Sequence, residues 1–315
     1  MFRLLIALLV VSCPLRAEPL QVVADIAPVH SLVARVMQGA GVPSLAIPPG
    51  ASPHGYAMRP SEARALSQAD VVIWIGPELT PWLQNGLDTL AGDAVHLALA
   101  DVPDTVLHPL REGALFDAHD HDQDHDDHED HDDHDEHADH EEHHDFDPHS
   151  WLDPRNGAVW LGAIADQLGL LDPENAALYR ANAVAGRAEL AELEAQIAQT
   201  LSGLQTRPFV VFHDAYHYFE ARFEVEAVAA ISLSDASAPS AAQVAQVRDV
   251  IADQGVVCVF AEPQSNPGLI SSVTEQQLTK AAVLDPLGRD QPLGPMLYAK
   301  MLRQMANAMD GCLRP

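Results

Sequence analysis

Along the chain, short continuous apolar runs are separated by longer amphipathic stretches, the alternation expected of strands buried on both faces and of the helices that cover them. In the first part, residues 20–24, 45–47, 71–75 and 94–99 predict strands. Helical patterns run from Pro28 to Met37, from Ser61 onward, and after Pro77 and Pro81, proline being well suited to a first helical turn. The last third repeats this order. Residues 208–212, 227–231, 256–261 and 281–284 predict strands, interleaved with helices at 215–222, 241–253, 269–277 and 295–309. Between the halves lie a helix from about 157 to 168 and then a much longer one, introduced by Asp172-Pro173-Glu174, from Pro173 to about Leu204. At about 1.5 Å per residue the latter would span about 48 Å, weakened at Gly186 by about 1 kcal/mol. The fold class predicted is α/β: two lobes with parallel sheets joined by one long rigid helix. The divisions are 1–17, an N-terminal lobe over 18–172, the linking helix over 173–204, and a C-terminal lobe over 205–315.

The first 17 residues stand apart from this pattern. Arg3 precedes the apolar run Leu4 to Val11, and Ala17 precedes Glu18-Pro19, the three regions of an export signal. The run is too short for the roughly 20 apolar residues that span a bilayer, and no later segment approaches that length. The mature chain is therefore expected outside the cytoplasm with no direct membrane insertion; a lipid anchor at Cys13 is the minor alternative. Export also changes the reading of the cysteines. With Cys13 removed, Cys258 and Cys312 remain, an even pair for which a disulfide is the default in an oxidising compartment, two buried free thiols being the alternative.

Charge narrows the partners. The 315 residues carry 46 acids against 17 Lys and Arg, a net charge of −29, and the 31 residues from Asp117 to Asp147 hold 17 of those acids and no base. Even without that tract the chain is acidic. It lacks the basic stripe that nucleic acid requires, and anionic lipid would repel it. Cations are the natural guests.

Candidate ligands occupy the ends of predicted strands, where open α/β sheets bind their ligands. His54 follows the strand at 45–47, His149 leads into the helix at 157, His213 directly follows Phe209-Val210-Val211-Phe212, and Asp285 directly follows the strand at 281–284. Three imidazoles and a carboxylate form a coherent set for a tetrahedral divalent transition metal. Asp285 either completes the tetrahedron or orients a histidine while water fills the fourth position. His217 stands four residues after His213, a spacing that suggests a zinc pair, but one residue would end a strand and the other lie on a helix. His30 precedes an apolar helical face and is weighed with His217 as a minor candidate, and His96 and His108 are read as structural.

Several segments then resemble a known family: Gly50-Ala51-Ser52-Pro53-His54 with Arg59-Pro60-Ser61, Asp147-Pro148-His149-Ser150-Trp151-Leu152-Asp153-Pro154, Phe212-His213-Asp214-Ala215-Tyr216, Ala261-Glu262-Pro263-Gln264, and Leu284-Asp285-Pro286-Leu287-Gly288. In this order they are similar to the cluster A-I metal-binding proteins of ABC importers, and within these to the zinc-uptake, ZnuA-like branch. The resemblance implies Rossmann-like lobes, a periplasmic monomer, Zn2+ bound between the lobes by His54, His149 and His213, and delivery to an ABC importer permease at the inner membrane. It also agrees with pairing of Cys258 and Cys312. His213 stands where manganese-binding relatives place a carboxylate, which shifts the preference toward zinc.

The acidic tract carries ten histidines, His119, His121, His125, His128, His131, His134, His137, His140, His143 and His144, spaced by three from His125 to His143. With almost no apolar residue it is expected to be a mobile loop offering several weak, exchangeable metal sites. A manganese-binding homologue, a metal-storage or adhesion protein and a zinc hydrolase are the competing functions. The hydrolase would need a general base, for which Glu262 is the one candidate, and no His-Glu-x-x-His segment is present.

Overall fold

The computed structural model describes residues 19–111, 113, 115–116, 146–234, 238–275 and 279–315. The export segment, Cys13 and all ten tract histidines lie outside the described residues.

Two all-parallel, four-stranded sheets are built on one plan. The first orders β1 (Val22–Ala24), β2 (Ser44–Leu45), β3 (Val71–Trp74) and β4 (Val95–Ala98) as β2-β1-β3-β4. The second orders β5 (Phe209–His213), β6 (Ala227–Ser232), β7 (Cys258–Ala261) and β8 (Lys280–Val283) as β6-β5-β7-β8. Among the described residues the helices are α1 (Ala27–Val36), α2 (Pro60–Ser67), α3 (Pro81–Leu90), α4 (Pro154–Leu171), α5 (Ala176–Leu201), α6 (His217–Phe223), α7 (Ala241–Asp253), α8 (Pro267–Thr274) and α9 (Leu297–Leu313). Proline opens α2, α3, α4 and α8, where its missing N–H has no partner to lose.

Alternate strand residues point to opposite faces, and the two faces have different fates. On the outward side Val23, Val72 and Trp74 pack against Leu66 of α2 and Leu83 and Leu87 of α3, while Val210, Ile231 and Val259 pack against α7 and α8. On the inward side Val22 and Ile73 of the first sheet and Phe209, Val211 and Phe260 of the second share one continuous core with α1, α4, α5 and α9. The halves are thus joined by buried apolar surface as well as by the chain.

The long linking helix is present, with different bounds and packed against the helix before it. The helix expected over 157–168 extends over 18 residues, Pro154–Leu171, because Asp153 caps it by accepting the Arg155 N–H. The expected 173–204 helix is 26 residues, Ala176–Leu201, because Asp172 accepts from Asn175 and Tyr179 in a turn that separates the two. The turn folds α5 back along α4, with Arg187 donating to Ala158 O and Arg155 to Glu194. The spine is a helical hairpin. Gly186 is no weak point in it. A Cβ there would lie 2.9 Å from Leu161 Cδ1, so glycine allows α5 to approach α4. Gly157 has the same role toward α9, since a Cβ would lie 2.7 Å from the Tyr298 hydroxyl.

Polar contacts reinforce the junction. Tyr298 of α9 donates to Trp151 O at 2.7 Å, the Tyr298 N–H donates to Ser31 Oγ of α1, and Ser31 donates to Gly294 O. Arg222 of α6 pairs with buried Asp153. Cys258 of β7 and Cys312 of α9 form a disulfide with a Cα separation of 6.0 Å, tying the last helix to a central strand. It closes 54 residues, worth about 4 kcal/mol on the chain-entropy account. Reduction is therefore expected to lower the melting temperature by several degrees, measured by calorimetry with and without reductant, and native protein should resist thiol labelling at both positions.

Candidate metal centre

Three segments distant in sequence deliver an imidazole to one place. His213 is the last residue of β5, in register with Ser232 of β6, and the chain turns away immediately because the Ala215 N–H donates to His213 O. The strand reaches that point because Phe209, Val210, Val211 and Phe212 are buried on both faces. His149 sits just before the 3-10 turn Ser150–Leu152; Leu152 N–H closes back on its carbonyl, and Trp151 donates from its indole to Pro286 O of the other half. His54 ends the turn-rich loop after β2. Gly50 makes the loop possible, with φ +87 and no room for a Cβ against Arg289, and Trp82 holds Pro53 O at 2.8 Å.

His54 Nε2 lies 3.1 Å from His149 Nε2, which lies 3.4 Å from His213 Nε2. Donor atoms of the three residues fall within 4.8 Å of one another. Two nitrogens bound to zinc at about 2.0–2.1 Å with a tetrahedral angle between them stand about 3.3 Å apart, so the spacing fits such an ion. His149 and His213 are buried and His54 is half-buried, leaving the cluster one wetter side.

Two carboxylates fix how the rings point. His149 Nδ1 lies 2.6 Å from Asp147 Oδ1, which also accepts the His149 backbone N–H, and His213 Nδ1 lies 2.5 Å from Glu262 Oε1. A carboxylate accepts only from a protonated Nδ1, so each bond assigns the lone pair to Nε2, the atom that faces the cluster. Glu262 is itself held by the Tyr216 hydroxyl at 2.9 Å and the Gln264 amide at 2.6 Å. Burial and the neighbouring Glu262 push the Tyr216 phenol well up, so it stays a donor. Burial also pushes the Asp147 carboxyl up to about 6, opposed by the hydrogen bond from the His149 N–H. His213 ends β5 and Glu262 directly follows the adjacent β7, where the strand order reverses, the place where such sheets take ligands.

The other candidates are not among the three residues whose donor atoms meet. Asp285, two residues beyond β8, is not among the residues whose donor atoms meet within 4.8 Å; its Oδ1 accepts the Leu287 N–H at 3.3 Å, and burial raises its carboxyl. His217 is the first residue of α6 with its ring 4.7 Å from that of His108. His30 contacts Pro43 O and His96 contacts Ala91 O. The orienting roles of Asp147 and Glu262 were not read from the sequence, although both residues lie inside the motifs that carried the resemblance. An acid two residues before a candidate ligand was the available signal for Asp147; for Glu262 there was none besides its place after a strand.

Comparisons with known proteins point to one family. The family model described as "Zinc-uptake complex component A periplasmic" (ZnuA) matches residues 22–312. The chain is 43% identical over 307 residues to the high-affinity zinc uptake system protein ZnuA of Paracoccus denitrificans, covering 96% of this chain and 94% of that one. It is 32% identical to the ZnuA of Yersinia pestis, with 99% and 96% covered. Among solved structures it is similar to one described as "Crystal structure of ZnuA", with a TM-score of 0.76 at 23% identity over 94% of this chain and 100% of that one.

If the carboxylates set the tautomers, Asp147→Asn and Glu262→Gln should each weaken divalent-metal binding by roughly 10- to 100-fold with little change in far-UV circular dichroism. Competition against a chromophoric chelator measures this; unchanged affinity in both would remove the orienting role.

Proposed function

The chain belongs to the ZnuA family of periplasmic zinc-uptake components, and from that premise we propose that it captures Zn2+ outside the cytoplasm and delivers it to an ABC-type permease. The observation that carries the reading is the convergence of three imidazole Nε2 atoms at separations suited to tetrahedral zinc. His54, His149 and His213 are the ligands. The fourth position is filled by water or, after a small shift of the loop following β8, by Asp285.

All three of these side chains offer nitrogen, which favours zinc over the harder manganese. Capture is ligand exchange: hydrated zinc trades water for imidazole and displaces any proton held on Nε2, so uptake is expected to weaken on acidification. No catalytic step is required. Glu262, the candidate base of a hydrolase, is committed to His213, Tyr216 and Gln264. Residues 1–17 serve as the export signal, and among the described residues no helix is long and apolar enough to cross a membrane. The lobes over 18–172 and 205–315 dock on the permease as a monomer, and the tract from Asp117 to Asp147 collects zinc through weak sites.

Changing His54, His149 or His213 to Ala should lower zinc affinity far more than changing His30, His96 or His217, measured by chelator competition. Equal loss in His217→Ala and His213→Ala would mean that the ligand set is wrong. Deleting 117–145 should remove the weak zinc equivalents seen by calorimetry and leave the tight site nearly unchanged, because folded lobes hold its ligands in advance. Disappearance of the tight site with the tract would favour a storage function.

A further inference from the structure

The neck from which the acidic tract departs carries a second histidine pair. Pro109 and Phe146 form an antiparallel bridge, and the Asp147 N–H donates to His108 O at 2.9 Å, so the segment that approaches the tract lies beside the residues that close it; the chain then passes along β6, where the Phe116 N–H donates to Val228 O, before the tract begins. His108 is in the outgoing segment. Across from it His217 opens α6, its ring centroid 4.7 Å from that of His108 with 31° between the planes. Tyr218 fixes the corner, its hydroxyl donating to Asp147 O at 2.7 Å and accepting the His108 N–H at 3.0 Å.

Two features distinguish this pair from surface histidines. His217 Nδ1 is buried with no hydrogen-bond partner among the described residues, an unusual state for a ring nitrogen. Both imidazoles are also held below their ordinary range, chiefly by burial. His108 is drawn toward charge by Asp147 and Asp153 and away from it by Arg222 and Arg111; His217 faces Arg111 and His108 on one side and Asp147 and Asp214 on the other. Both rings are therefore neutral near pH 7, the state in which imidazole binds metal. Arg111, which pairs with Asp214 and with Glu220, keeps those carboxylates occupied.

We propose that His108 and His217 form a second station for a divalent transition ion, held by one nitrogen from each ring with water completing the coordination. The identity of the ion as zinc rests on the proposed function; the station itself rests on the pair. Loading is an exchange of two waters for two neutral imidazoles, so no proton is released. With two protein donors instead of three, the station is weaker than the cleft and gives its ion up more readily. Asp147 stands between the two sites, its backbone bonded to His108 and its carboxylate to His149. An ion leaving the tract would thus meet the station one residue away from the cleft.

The test uses the full chain crystallised with one and with ten equivalents of zinc, with diffraction measured on both sides of the zinc edge. At ten equivalents an anomalous peak is expected about 2.0–2.1 Å from one nitrogen of each ring, separate from any peak in the cleft. It should vanish in His217→Asn and in His108→Asn. No peak between the rings, or a peak that survives either substitution, overturns the proposal. The cleft peak is read independently, so its absence counts against the proposed function and not against the station. In solution, protection of both His108 and His217 from diethyl pyrocarbonate between one and ten equivalents, mapped by peptide mass spectrometry, supports the station; protection confined to other histidines overturns it.

Discussion

Everything about the cleft depends on the apolar core that the two sheets share. Imidazoles from positions 54, 149 and 213 are useful as a set only if their Nε2 atoms stay within a few tenths of an ångström of 3.1–3.4 Å, and no local interaction can impose that over such separations. The inward faces of both sheets, the α4–α5 hairpin and α9 form one buried cluster, so displacing one lobe would expose apolar surface at about 25 cal/mol per Å². Trp151 shows how directly the core sets the site: its ring is buried, its indole holds Pro286, Tyr298 holds its carbonyl, and His149 lies two residues before it.

Within that frame the carboxylates decide chemistry. A neutral imidazole can present either nitrogen, and a ring with the wrong tautomer would direct an N–H at a cation. Asp147 and Glu262 remove this freedom for the two buried rings, and their own geometry is fixed by the His149 N–H, Tyr216 and Gln264. Both acids are buried, which strengthens each bond they make. The acidic character noted from the overall charge is thus concentrated, at the site, in two groups aimed at nitrogen atoms.

Much of this was legible in the sequence. Strand-and-helix alternation located the strands of the described residues, most clearly the buried central ones because such strands are continuous apolar runs, and the positions of His54 and His213 beside strand ends suggested a shared site. The misreadings have physical sources. The break before the linking helix was expected at Asp172, but the helix was given too early a start, because the turn is extended by Asp172 bonding to Asn175 and Tyr179, a local side-chain event that periodicity cannot register. Gly186 was read from propensity, yet its role is set by Leu161 on another helix. His213 itself belongs to the strand, one residue further than expected, through its pairing with Ser232.

The bridge between Pro109 and Phe146 has an evolutionary consequence. The chain from Pro109 is tied first to Phe146 and then to β6, through Leu115 beside Ala229 and the Phe116 N–H on Val228 O, so the segment between Phe116 and Phe146 leaves and re-enters the fold at fixed, backbone-bonded points and its length is not set by either lobe. For a flexible loop closed between fixed points, doubling the length adds only about 0.6 kcal/mol of closure entropy. Selection can therefore lengthen, shorten or recompose this segment according to how scarce metal is in a habitat, while the folded body that surrounds it is inherited unchanged.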